Sequence, residues 1–194
     1  MKKFLSEHSY DAVKMFLNQF ATAIFGFVLA LAAGKAQNPV LRNVTSGFAI
    51  AFYLFLLYTM TWEIGFRDKI AIDNGRKEKQ SLTGLWISLF ANSINFILGI
   101  FIMLGSLTDL SVFNKIGGVC ASIAVLIEGM YTGVLANHVA GDIPLNSFWW
   151  IYLLLPIPAL LTCLIAYVLG TKDKKFTGLF KFQYPESDRD HKEK

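Results

Sequence analysis

The sequence predicts an all-α integral membrane protein with four transmembrane helices and one further helical segment that dips into the membrane and returns. Three observations carry this reading. The 194-residue chain is 54% hydrophobic and only 16% charged, where a soluble domain carries about a quarter charged residues. The charges fall almost entirely between long apolar runs. Those runs reach the roughly 20 residues needed to cross a hydrocarbon core of about 30 Å.

Four runs qualify: about 12–34, 45–66, 82–106 and 147–170. Together they define one helical membrane domain, 1–170, followed by a basic, mixed-charge tail, 171–194, expected in the cytoplasm. The net charge of +4 comes from bases flanking apolar runs. There they set orientation and meet lipid headgroups, so the charge is not a nucleic-acid signal. The expected partners are the lipid bilayer and, beyond it, further copies of the chain or other membrane subunits. Cys120 and Cys163 both lie inside apolar runs and read as small hydrophobes, not a disulfide or a metal set. The apolar run Met15–Ala33 is longer than a signal-peptide core, and Glu7 and Asp11 precede it, which argues against a cleaved leader.

Orientation follows from Lys and Arg. With four spans, the N-terminal arm, the second loop (67–79) and the tail share one side, which then holds fifteen basic residues against three on the other. If the stretch 117–140 also crosses, giving five spans, the balance becomes eight against ten. The positive-inside rule therefore selects four spans in the cell membrane, with both termini cytoplasmic. Trp62 and Trp86 fall near inner ends, and Trp149 and Trp150 at an outer end, as expected of interfacial aromatics. Spans two and four end alike, "GFRDK" (65–69) and "GTKDK" (170–174), which fits a shared location.

The stretch 117–140 then has to place its apolar residues without crossing. The run "VCASIAVLI" before Glu128 has nine residues, about 14 Å of helix, or half a hydrocarbon core. Gly129 is the expected break, and "MYTGVLANHVAG" the return. A surface or cap helix and a true fifth span are the alternatives.

Ionisable groups within apolar runs are costly and mark candidate sites. Glu63 lies three residues from the end of span two and reads as an interfacial anchor. Glu128 has no basic neighbour in sequence. Its readings are a protonated acid, a partner of Asn or Tyr, or a cation ligand. Asn18, Thr22, Gly26, Ala30 and Gly34 recur every four residues in span one. Gly84, Ser88, Asn92, Asn95 and Gly99 recur every three or four in span three. Such stripes of small and polar residues face other helices. Gly26, Ala30, Gly34, Ser88 and Gly99 are therefore the candidate packing positions. Asn18, Asn92, Asn95 and Glu128 are the candidate polar path. Pro156 and Pro158 should kink the last span.

His138 and Asp142 would share a helix face, but with no third ligand they make no metal site. His8 and His191 lie near the termini and point to nothing. No catalytic motif occurs, whether P-loop, H-E-x-x-H, C-x-x-C or G-x-S-x-G, and no cofactor is expected. The function expected is that of a small transporter- or channel-like protein. A non-catalytic accessory or scaffold subunit of a membrane complex is the main alternative. An enzyme working at the outer face through Glu128, His138 or Asp142 is the least favoured.

Overall fold

A computed structural model describes residues 2–78, 80–108, 110–139 and 142–174. Of the expected tail, everything beyond Lys174 lies outside the described residues, as does His191. The described residues are helical, with no strand and only one isolated bridge, His138 with Pro144. The elements are α1 (Lys2–Lys35), α2 (Pro39–Asp73), α3 (Thr83–Ala91), α4 (Ser93–Leu107), α5 (Ser111–Ile127), α6 (Thr132–Leu135), α7 (Trp149–Leu154) and α8 (Ile157–Thr171). Single 3-10 turns stand at Gly129–Tyr131 and Leu145–Ser147.

Three segments are long and apolar enough to cross a membrane: His8–Lys35, Pro39–Asp73 and Trp149–Thr171. Two bent pairs qualify only when each is taken together: α3 with α4, bent by 58°, and α5 with Gly129–Leu135, bent by 85°. Helix α2 starts cleanly. The Asn38 side chain accepts from the backbone N–H groups of Val40 and Leu41, and Pro39 occupies the first turn, where its missing N–H costs nothing.

The two long helices α1 and α2 are antiparallel. Arg67 pairs with Asp11 at one end, Asn18 meets Met60, and Phe25 packs on Phe48 and Phe52 toward the other. Helix α8 runs parallel to α2, with Thr61 beside Cys163 and Gly65 against Gly170. The start of α1 and the end of α8 therefore lie at the same end of the bundle, called here the terminal end. The two glycines of the matching "GFRDK" and "GTKDK" segments touch each other at this crossing. A Cβ on Gly170 would lie 3.1 Å from Gly65 Cα and 3.0 Å from Phe66 N, and would collide with Trp62 O.

Span three was expected unbroken but is broken at Asn92. No Pro or Gly sits there. Instead the Asn92 side-chain amide donates to Ser88 O at 2.9 Å, alongside its own backbone N–H at 2.9 Å. A side chain that competes for a helix carbonyl in this way bends the helix. The last span breaks at Pro156, as expected. The stretch expected at 117–140 starts earlier, at Ser111. Its first arm has 17 residues, about 25 Å of helix, not the half-core length expected. It does end at Glu128, where the chain turns.

Helix α1 turns mostly small and polar residues inward, beside Met15, and large apolar ones outward. On α1, Gln19, Thr22, Ala23 and Ala30 are buried, while Leu17, Phe20, Ile24, Val28 and Leu31 are exposed. Large apolar faces this continuous are foreign to a helix bundle surrounded by water.

Candidate functional site

The break after α5 is set into the middle of the bundle. A Cβ on Gly129 would collide with Ala23 O and lie 3.0 Å from Phe27 Cβ, and one on Gly26 would collide with Met130 Cα. These contacts fall near the midpoint of the His8–Lys35 span. Only glycines let two backbones approach so closely. From there the chain leaves toward the end opposite the terminal end, the one that holds the start of α2. Gly133 packs on Ser46 and Arg42. The Asn137 carbonyl oxygen accepts from Arg42 at 2.9 Å, and its amide donates to Asn43 at 2.7 Å.

Glu128 is 4% exposed, and its Oε2 has no hydrogen-bond partner among the described residues. Tyr131 Oη is likewise buried without a partner. Asn92 and Asn95, both buried, form a pair in which Asn95 Nδ2 donates to Asn92 Oδ1 at 3.0 Å, and Asn92 Nδ2 reaches Ser88 Oγ at 3.3 Å. Asn95 Oδ1 is left unpaired. Helices α4 and α5 are antiparallel, with Gly105 against Gly117. Counting back from Gly105 and forward from Gly117 by the same number of residues brings Asn95 level with Ile127 and Glu128. Two buried, unpaired oxygens thus sit at one depth. Buried polar atoms without partners are rare and costly in folded proteins.

Asn18 is placed differently. It is half-buried and its amide donates to Met60 Sδ at 3.4 Å, toward α2. The packing stripes also divide. Gly84 faces α8, where a Cβ on it would lie 2.5 Å from Cys163 O, while Ser88 Oγ accepts from Asn92 at 3.3 Å. Gly99 faces Leu153 of α7. Gly26 holds the turn after Glu128, and Ala30 is buried. Gly34 is exposed, with nothing within 4 Å of a Cβ there, so it packs on none of the described helices. Helical period alone does not show where a stripe runs past the end of its neighbour.

A second polar cluster, at the terminal end, is absent from the sequence reading. Asp68 Oδ2 accepts from Tyr167 Oη and from Lys77 Nζ, each at 2.8 Å. Lys77 Nζ lies 3.1 Å from His8 Nε2, and His8 Nδ1 lies 3.3 Å from Asp11 Oδ2. Asp11 Oδ1 accepts from Arg67 at 3.1 Å. An ammonium can only donate. His8 Nε2 therefore accepts from Lys77, and the ring proton on Nδ1 points to Asp11. His8, expected to matter little, is 5% exposed at the centre of this chain of contacts. It also lines a mostly apolar cavity of ≈ 270 Å³ between α1 and the α3–α4 elbow, walled by Ala12, Phe16, Phe90 and Ile94. No sequence signal marks this cluster, because its hydrogen-bonded pairs lie up to 99 residues apart.

His138 and Asp142 do not share a helix face. α6 ends at Leu135, and His138 lies in the bridge to Pro144. Among the described residues no three His, Cys, Asp or Glu side chains gather as a metal set. Glu63 is exposed on α2, one turn from Arg67. Both cysteines are free and buried, and Cys163 Sγ accepts from Thr61 at 3.4 Å.

The fold and site define an all-helical protein with three to five helical segments suited to crossing a membrane. Compared with known proteins, the chain matches no family model, no curated sequence and no solved structure.

Proposed function

We infer that this is a small multi-pass membrane protein, transporter- or channel-like, in which Glu128 takes up a cation near the middle of the bilayer. The observation that carries the reading is the buried Glu128 carboxylate with an unpaired Oε2, level with the unpaired Asn95 Oδ1. A carboxylate at such depth without a basic partner is the ordinary mark of an ion or proton pathway. The exposed apolar faces of α1 and α2 supply the lipid contact. The terminal end is the cytoplasmic one, because it gathers most of the Lys and Arg. Helix α5 and the segment after it form a re-entrant hairpin entered from the opposite face. Its non-helical turn is tolerated there because it is buried in protein.

Reconstituted in liposomes with dyes for H⁺, Na⁺ and K⁺, the wild-type chain is expected to carry one of these ions. Glu128→Gln should lower that flux by on the order of 100-fold while inserting normally, the loss expected when a single essential charge of the path is removed. Equal flux in the two proteins rejects the role of Glu128. A wild type that carries none of the three ions favours the scaffold alternative.

Topology has its own test. Single cysteines at Ile143 and Lys172, in a Cys120→Ala, Cys163→Ala background, are probed on intact cells with an impermeant thiol reagent. Position 143 should label at once and 172 only after permeabilisation. The reverse pattern means either an inverted orientation or a fifth crossing between α4 and α7, and labelling at both positions means that α7 and α8 do not cross.

A further inference from the structure

In the terminal-end cluster, Lys77 ties the α2–α3 connection to α1. Its ammonium donates to Asp68 Oδ2 at 2.8 Å and to His8 Nε2 at 3.1 Å. An ammonium has no lone pair, so the second contact exists only while Nε2 carries no proton. His8 Nδ1, 3.3 Å from Asp11 Oδ2, holds the ring proton of the neutral imidazole. A second proton can enter the ring only at Nε2. It turns that nitrogen into a donor and the ring into a cation, facing another cation at hydrogen-bond distance. Attraction becomes repulsion, and the contact cannot persist.

The two partners are not equally free to move. His8 is 5% exposed on α1, a helix of 34 residues. Lys77 stands between α2 and α3, outside both, with a side chain 20% exposed on a flexible four-carbon stem. The groups that face the pair are Asp11 on α1, Arg67 and Asp68 on α2, and Tyr167 on α8. A guanidinium stays charged throughout. Carboxyls and phenols ordinarily titrate near about pH 4 and 10, which leaves imidazole as the type that changes charge between about pH 5 and 8. We propose that His8 and Lys77 form an acid-sensitive latch, which fastens the α2–α3 connection to α1 while the imidazole is neutral and releases it when Nε2 takes a proton. Lys77 is the partner that leaves, while Asp11 still accepts from His8 Nδ1 and Asp68 keeps its bond from Tyr167. The latch goes beyond the reading of Glu128 as a cation site and does not rest on it. The same proton puts a charge in the wall of the ≈ 270 Å³ cavity between α1 and the α3–α4 elbow, which His8 lines. Acid at the terminal end therefore frees the connection and polarises that cavity in one step.

The test uses the full chain in detergent, in a Cys120→Ala, Cys163→Ala background. Spin labels on Tyr10→Cys of α1 and Glu78→Cys of the connection, both exposed positions, give their separation by pulsed EPR. The protein is measured at about pH 8 and about pH 5, the two limits of the imidazole range. The labelled parent should give one narrow distance at the higher pH and a longer, broader one at the lower. His8→Gln supplies an amide oxygen that accepts from Lys77 and takes up no proton, so it should keep the narrow distance at both. Lys77→Met removes the ammonium and should show the long distance at both. A control pair, Phe20→Cys on α1 and Phe55→Cys on α2, should not move. A parent distance that is the same at both pH values overturns the latch. So does a pH response that persists in His8→Gln or Lys77→Met, because another group is then titrating. If the control pair separates along with the first, acid loosens the whole bundle and the latch is again overturned. Should His8→Gln fail to fold, Lys77→Met decides alone. No flux is read, so any of these failures leaves the role of Glu128 to the liposome experiment.

Discussion

Gly170→Val is expected to prevent α8 from seating on α2 and to leave little monodisperse protein after extraction. Backbone, not side chain, surrounds the missing Cβ: Trp62 O, Phe66 N and Gly65 Cα. Backbone cannot swing aside, so the two helices must separate. Even one extra methyl in a filled contact costs about 1–3 kcal/mol, and a branched side chain at a backbone crossing costs more. Separation would also strip Tyr167 from Asp68 and Lys174 O from the Trp62 indole, bonds of 2.8 Å each. Gly65→Val should behave the same way, because a Cβ there would lie 2.5 Å from Tyr167 O. Gly47→Ala, in the same helix α2, has nothing within 4 Å. It should fold normally and gain slightly from the better helix propensity of Ala, by up to about 1 kcal/mol. Elution profiles and melting in detergent check all three. If Gly170→Val were as stable as Gly47→Ala, the α2–α8 crossing described here would be wrong.

Glu128→Met is expected to abolish flux and at the same time raise the melting temperature. The replacement is close in volume and removes a buried oxygen with no partner, a group that costs on the order of 1–3 kcal/mol, or more when charged. For a chain of this size, each kcal/mol shifts the melting midpoint by roughly 2–4 °C. Opposite signs for stability and activity separate a functional carboxylate from a structural one. A residue kept to hold the turn at Gly129 would lower the melting point when replaced. A carboxylate held in an unfavourable place for its chemistry raises it. Melting curves of the purified protein, read beside the liposome flux, give both signs from one preparation. A lowered melting point in Glu128→Met assigns the residue to the fold and removes the basis for the transport reading.

Much of the helix content was legible in the chain because apolar length is a local property. Residues 12–34 and 45–66 lie within helices of the structure, and the break at Glu128–Gly129 stands where a carboxylate meets a glycine. The break at Pro156 was legible for the same reason, since proline lacks an amide donor whatever surrounds it. The bend at Asn92 was not, because an asparagine bends a helix only when its amide turns back onto the carbonyl one turn earlier. That choice depends on what packs beside it. Gly65 and Gly170 stood out in the sequence as matching ends. That they meet each other followed only from α2 and α8 running parallel.

The chain by itself therefore determined that it is helical, where most of its long apolar segments lie and that one carboxylate falls within an apolar run. These follow from residue types within a turn or two of each other. Tertiary structure alone decided which oxygens at that depth lack partners, and that His8, Asp11, Arg67, Asp68, Lys77 and Tyr167 form one cluster. Those groups come from α1, α2, the α2–α3 connection and α8, and no periodicity in a sequence reports the rotation of one helix against another. The rotation is fixed by glycine contacts between backbones. The polar groups then pair according to where those contacts leave them.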